Sequence, residues 1–215
     1  MENFLLKWLK NYKIKFRFST RPHKQFLWFL LKRDSKLSLG KEIGLDAGCA
    51  NMKNKRFFQT TRYIGLDPDP AMLSAGAKQN PDAHVLKCKI LDAPVALRAD
   101  FVQCIQVLVN ADFEKKETLD VVKRLIMTVN KGGVLLINTG SDTLRFDDKI
   151  LYLLKNNFEE VSVIKYGSLW CKKAPLFLSI LIAIFLYLFP YVRTLGGHQK
   201  TYFRCLGKKQ NFCHD

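Results

Sequence analysis

Lys41-Glu-Ile-Gly-Leu-Asp-Ala-Gly48 and Tyr63-Ile-Gly-Leu-Asp67 are the two stretches on which the fold turns. Each is a short apolar run that closes on an acid. The first then meets a glycine, which suits a buried strand and a tight turn; the second meets Pro68 and Pro70, which mark a loop. Working outward, Ala71 to Lys78 has helical composition, and His84 to Leu91 reads as a third strand. Phe101 to Leu108 reads as a fourth strand, Lys116 to Val129 as a helix, Lys131-Gly-Gly as a helix stop and turn, and Val134 to Ile137 as a fifth strand. Strands alternating with helices at this pace describe βαβ units and a parallel sheet.

Open parallel sheets hold their ligands beyond the carboxyl ends of the strands. Gly48 lets the backbone approach a ligand with no Cβ in the way. Asp67 stands 21 residues after Asp46 at the end of the next strand, where an acid can accept both hydroxyls of a ribose.

Leu45-Asp46-Ala47-Gly48-Cys49-Ala50-Asn51 resembles the glycine motif of the class I S-adenosylmethionine-dependent methyltransferases. Tyr63 to Leu73 resembles their second motif, Ala99-Asp100-Phe101-Val102 their strand-four motif, and Asn130 to Leu136 the turn before strand five. The likeness covers residues 40–165, and Tyr202 to Lys208 looks like the family's antiparallel seventh strand. It implies an α/β fold: a Rossmann-like, doubly wound, mostly parallel seven-stranded sheet with an antiparallel last strand. It also implies S-adenosylmethionine as cofactor, met by Asp46, Ala47, Gly48, Cys49, Ala50, Asp67 and Pro68. Ala50 and Met52 occupy the places of the second and third glycines; an alanine fits there with negative φ, and Met52 must point away from the cofactor. Lys89 takes the place of the acid that meets the adenine amino group, with Asp92 three residues later as a substitute. Residues after strand four lie near the transferred methyl in this fold, so Asn110 and Asp112 are candidates for holding the acceptor. His198, before the last strand, is the candidate base, whereas nothing in the sequence singles out His23 or His84.

The net charge of +16 sits at the two ends of the chain. Residues 1–41 carry eleven Lys/Arg against two acids, residues 42–160 sixteen of each, and residues 161–215 eight against one. A nucleic-acid binder more often spreads such charge over its body, so DNA is not expected as a partner. The basic ends are also apolar. Phe4, Leu5, Trp8, Leu9 and Tyr12 recur at helical spacing with Lys7, Lys10 and Lys13 largely opposite, the pattern of an interfacial amphipathic helix. Phe26 to Leu31 reads as a more buried helix leading into the body. Pro175 to Val192 runs for eighteen residues without a charge, at the lower edge of bilayer-spanning length. Because the strands on either side of it belong to one sheet, the segment is expected to dip into one leaflet and return near Pro190, or to lie flat. Phe4-Leu5-Leu6 is broken at once by Lys7, so no signal peptide is expected. The six cysteines show no C-x-x-C pair and no metal-ligand spacing, and read as reduced structural thiols.

The expected organisation is a basic helical segment at 1–38, a nucleotide-binding body at 39–169, a hydrophobic membrane-associating insertion at 170–197, and the last strand with a basic tail at 198–215. The expected activity is methyl transfer to a lipid-like or lipid-linked acceptor on the cytoplasmic side of a membrane, by a peripheral or monotopic protein. Two other readings stand beside it. One is an RNA or protein methyltransferase using the basic ends, although Val109-Asn110-Ala111-Asp112 lacks the Asn/Asp-Pro-Pro-Tyr pattern of base-amine methylation. The other is a non-catalytic, membrane-associated member of the fold.

Overall fold

The computed structural model describes residues 19–109, 115–140, 147–167, 173–195 and 198–210. They form two compact units: residues 34–164 with the chain from 199 on, and the chain up to 33 with residues 165–198. The strands of the main sheet are β1 (Ile43–Ala47), β2 (Arg62–Asp67), β3 (His84–Lys87), β4 (Ala99–Cys104), β5 (Val129–Thr139), β6 (Phe158–Gly167) and β7 (His198–Lys208). The longer helices are α1 (Pro22–Asp34), α2 (Pro70–Gln79), α3 (Lys115–Thr128), α4 (Asp147–Asn157) and α5 (Leu176–Leu188).

The seven strands lie in the order β3-β2-β1-β4-β5-β7-β6. Neighbours from β3 to β5 run parallel, while β7 pairs antiparallel to β5, from Val134 opposite Leu206 to Thr139 opposite Thr201. The central strands are largely apolar because both faces of a parallel sheet are covered. Leu45, Leu66, Val102, Leu135 and Ile137 share one core with Val122 and Leu125 of α3 and Ile150 and Leu154 of α4. At the amino ends of the strands, the Asp100 carboxylate accepts the Glu42 and Ile43 amides and the Asn130 side-chain amide, so one acid ties β1, β4 and the start of β5 together.

Three strand boundaries differ from the sequence reading. β3 stops at Lys87, which pairs with Asp67, and the apolar Ile90 and Leu91 belong to the loop beyond it. β4 stops at Cys104, because Gln106 has φ +65 and turns the chain out of the sheet. β5 begins at Val129, so Lys131-Gly-Gly lies within an irregular strand where the register with β4 shifts, directly after α3 ends. In all three, backbone pairing rather than hydropathy sets the limit.

Pro70 opens α2 and does not merely mark a loop. Asp69 caps the helix by accepting the Ala71 and Met72 amides at 2.8 and 3.1 Å.

In the smaller unit Ser19–Thr20 pairs antiparallel with Ala174–Pro175. Phe26 and Leu30 of α1 are buried, and the Tyr166 ring meets Phe26 edge-on at 5.6 Å. Helix α5 is apolar all round, yet only Ser179, Ala183 and Leu186 on one side are buried. The opposite stripe, Phe177, Leu181, Ile184, Phe185 and Leu188, is exposed, up to 73% at Phe177 and 62% at Leu188. Arg193 closes this helix by donating to the Leu186 and Tyr187 carbonyls at 2.6 and 2.9 Å. At 13 residues, α5 is about 20 Å long, against about 30 Å of bilayer hydrocarbon. Among the described residues no helix is long and apolar enough to cross a membrane. The amphipathic segment expected at residues 4–12 lies outside the described residues.

Gly76 of α2 faces the turn after β1. A Cβ there would stand 2.9 Å from the carbonyl carbon of Asn51 and 2.9 Å from Met52 Cγ. Helix propensity alone makes Gly76→Ala stabilising by about 1 kcal/mol, whereas overpacking costs about 1–3 kcal/mol. Crowding against backbone wins: Gly76→Ala is expected to lower stability in urea unfolding, and a gain would show that the helix packs less closely.

Candidate functional site

The chain leaves β1 at Ala47 and turns through Gly48 at φ +78, Ala50 at +45 and Met52 at +60. Ala50 therefore does not hold the negative φ expected of an alanine here; it and Met52 adopt the left-handed conformation that glycine takes freely. Left-handed backbone costs a residue with a side chain about 1–2 kcal/mol, and hydrogen bonds hold the turn against that cost. The Gly48 and Cys49 amides donate to the Leu66 carbonyl at 2.7 and 3.0 Å. The Ala50 amide donates to Asp67 Oδ2 at 2.9 Å, and Asp67 Oδ1 accepts the Asp69 amide at 2.9 Å. Asp67 thus fastens the turn to the end of β2. Each of its oxygens retains a further lone pair for a ligand. Gly48 has no room for a side chain, because a Cβ would run into Val107.

Beside this turn lies a cavity of about 450 Å³, within the range that holds small molecules. Gly48 and Ala50 after β1, and Asp67 and Pro68 at β2, form one wall. Lys89, Ile90 and Leu91 after β3, Gln106 and Val107 after β4, and Glu117 and Val121 of α3 form the rest. The Gln106 amide is fixed by Asn138 Oδ1 at 2.7 Å, and its side-chain Nε2 is buried with no hydrogen-bond partner among the described residues. Gln106, Glu117 and the apolar wall of Ile90, Leu91, Val107 and Val121 were not singled out by sequence. Their common signal is position: all follow the carboxyl end of a strand, or lie on the first two turns of the helix after it.

Of the expected cofactor residues, Gly48, Ala50, Asp67, Pro68 and Lys89 line the cavity together. Ala47 and Cys49 are buried behind the turn, Cys49 packing with Met52, Tyr63 and Leu73. Met52 points into that cluster and away from the cavity. Asp92 is exposed and does not line the cavity; its amide closes a turn on the Lys89 carbonyl at 3.1 Å. Asn110 and Asp112 lie outside the described residues, and of His198 only the backbone, at the start of β7, is described. Burial holds the Cys49, Cys104 and Cys205 thiols protonated, which makes them poor nucleophiles.

Asp46 is buried beneath the turn and accepts the Tyr63 hydroxyl at 2.9 Å. Burial pushes its carboxyl from an ordinary 3.8 up to about 7; the Tyr63 hydrogen bond opposes this and the nearby Asp67 charge adds to it. The folded protein therefore holds a proton that the unfolded chain has released between these two values. The stability that proton confers is full below about pH 4 and is lost as pH rises to about 7, on the order of 4 kcal/mol. Asp46→Asn is expected to abolish that part of the slope in urea unfolding between pH 4 and 8; parallel curves for the two proteins would contradict the assignment. Ala50→Gly is expected to stabilise by about 0.5–1 kcal/mol, the relieved strain less the added unfolded-state entropy. An unchanged or lower midpoint would show that Ala50 is not strained.

No family model matches the chain, and no curated protein matches it in sequence. Solved structures do. The N-methyltransferase NodS from Bradyrhizobium japonicum WM9, in complex with S-adenosyl-L-homocysteine, is 13% identical with a TM-score of 0.60, over 86% of this chain and 88% of that one. The plantazolicin methyltransferase BamL, in complex with a triazolic desmethylPZN analogue and S-adenosyl-L-homocysteine, is 13% identical with a TM-score of 0.56, over 96% and 90%. Magnesium protoporphyrin IX methyltransferase (ChlM) from Synechocystis PCC 6803, with bound S-adenosylmethionine, is 13% identical with a TM-score of 0.55, over 86% and 78%. The fold of this chain is the Rossmann-like fold of the class I S-adenosylmethionine-dependent methyltransferases.

Proposed function

We propose that the chain is an S-adenosylmethionine-dependent methyltransferase whose acceptor is lipid-like or lipid-linked and is met at a membrane surface. The observation that carries the enzymatic part is Asp67, set between a left-handed turn and a cavity at the carboxyl ends of β1 to β4. The lining fits the ribose of the donor and the apolar faces of its base. Asp67 offers acceptor lone pairs for ribose hydroxyls, Ile90, Leu91, Val107 and Val121 offer an apolar bed, and Gln106 Nε2 is a buried donor in want of an acceptor. The missing Cβ of Gly48 leaves room for the Val107 side chain, which lines the same cavity.

When bound, the donor's sulfonium supplies an electrophilic methyl group. The work left to the chain is orientation and the exclusion of water, and a well-aligned pair of reactants gains about 7–11 kcal/mol from such positioning. Asp67 and the turn fix one end of the donor; Gln106, locked by Asn138, sits on the β4 side of the same cavity. An acceptor hydroxyl must also lose its proton, a step for which His198 is the proposed base, while Asn110 and Asp112 are the proposed holders of the acceptor.

The acceptor class rests on α5. Monomeric soluble proteins rarely leave an apolar stripe like that of Phe177, Leu181, Ile184, Phe185 and Leu188 in water. Tyr191, 93% exposed, follows it, with Lys173 before it and Arg193 after it. Aromatic and basic residues bordering an apolar face suit the interface of a bilayer, and each basic residue near an anionic leaflet adds about 1 kcal/mol. The segment joins β6 to β7 of one sheet, so both its ends return to the same side. A monotopic or peripheral attachment on the cytoplasmic side meets both conditions.

Incubation with methyl-labelled S-adenosylmethionine and a total membrane lipid extract is expected to move label into the organic phase. Asp67→Ala is expected to reduce that transfer at least about tenfold, as befits a lost charged hydrogen-bond acceptor. Label found only in RNA or protein would replace the acceptor class; no transfer to any of the three would support a non-catalytic protein. The protein is further expected to co-sediment with phosphatidylglycerol-containing vesicles, and Phe177→Ser with Leu181→Ser to release it. Preference for RNA over vesicles would contradict the membrane reading.

A further inference from the structure

The cavity contains one charged group whose chemistry runs against recognition of an adenine amino group: Lys89. β2 and β3 are parallel neighbours, and Asp67 is paired with Lys87 at their last common position. Lys89 therefore stands two residues beyond the strand end that adjoins Asp67, followed by Ile90 and Leu91, and all three line the cavity. A ribose held by Asp67 leaves its base to go past Pro68 toward this loop. Ile90 and Leu91 give the cavity apolar surface, and Lys89, an exposed residue of the same lining, carries an ammonium.

An ammonium donates hydrogen bonds and accepts none. Facing the exocyclic amino group of adenine it sets donor against donor, whereas a ring nitrogen or a 6-oxo group gives it an acceptor. Asp92, the nearest carboxylate along the loop, is exposed and does not line the cavity. The one carboxylate besides Asp67 in the described lining is Glu117, on α3.

We propose that Lys89 reads the purine of the donor through its acceptor atoms, so that this site does not select the 6-amino group and accepts a 6-oxo purine at least as well. The proposal rests on the methyl-donor reading above and deepens it by naming the residue that sets base specificity. It is tested by calorimetric titration of the full chain with S-adenosylhomocysteine and with S-inosylhomocysteine, which differ in the 6-substituent and in the proton that N1 of the 6-oxo ring carries. The wild-type protein is expected to bind the inosyl compound as tightly as the adenosyl one, or more tightly. Lys89→Asp, an exchange on an exposed loop, is expected to shift the ratio of the two dissociation constants by at least about tenfold in favour of the adenosyl compound, the scale of one charge-assisted hydrogen bond. Lys89→Met, which removes the donor without adding an acceptor, is expected to fall between them.

An adenosyl preference in the wild type that Lys89→Asp leaves unchanged would overturn the proposal. Loss of adenosyl binding in Glu117→Gln, with Lys89→Asp unaffected, would assign the base edge to α3 instead. Failure of every variant and the wild type to bind either nucleoside would reject the methyl-donor reading itself, a result distinct from the other two. Thermal unfolding of each variant separates lost binding from lost fold.

Discussion

The site depends on one hydrogen bond between a carboxylate and an amide, from Ala50 to Asp67 Oδ2. It closes a turn whose residues at 50 and 52 carry side chains in a conformation better suited to glycine. Together with the two amides that donate to the Leu66 carbonyl, it fixes the end of β1 to the end of β2. The cavity begins at that junction. Asp67 thus has two tasks, holding the turn and facing the ligand, so replacing it removes part of the wall as well as an acceptor.

Asp46 shows how the same two strands assign opposite roles to similar residues. Both acids end an apolar run, and by sequence they are equivalent candidates for contact with a cofactor. Asp46 lies one residue before the strand end, which turns its side chain into the core against Tyr63, while Asp67 is the last residue of its strand and reaches the turn. The buried carboxyl sits under the site as a titrating support.

The parallel strands, the glycine turn and the Asp67 position were legible in the sequence because hydropathy runs and terminal acids report directly on a parallel sheet. Strand ends were less so: Ile90, Leu91 and Val107 are apolar in order to line a cavity, and hydropathy cannot tell that from burial in a sheet. The conformation of Ala50 was misread for a related reason. Composition reports which φ an alanine favours, while the hydrogen bond that holds it elsewhere comes from a residue seventeen positions away. The apolar character of residues 175–192 was plain, but the shortness of α5 and the burial of only one of its faces depend on where Pro175 and Arg193 end the helix.

A crystal structure of the protein with S-adenosylhomocysteine tests the central claim most directly. The account predicts ribose hydroxyls within hydrogen-bond distance of the Asp67 carboxylate, with the Ala50 amide still on Oδ2 and the base beside Ile90. A nucleoside bound away from Asp67, or a cavity filled by Val107 and Ile90 with no nucleoside in it, would contradict it.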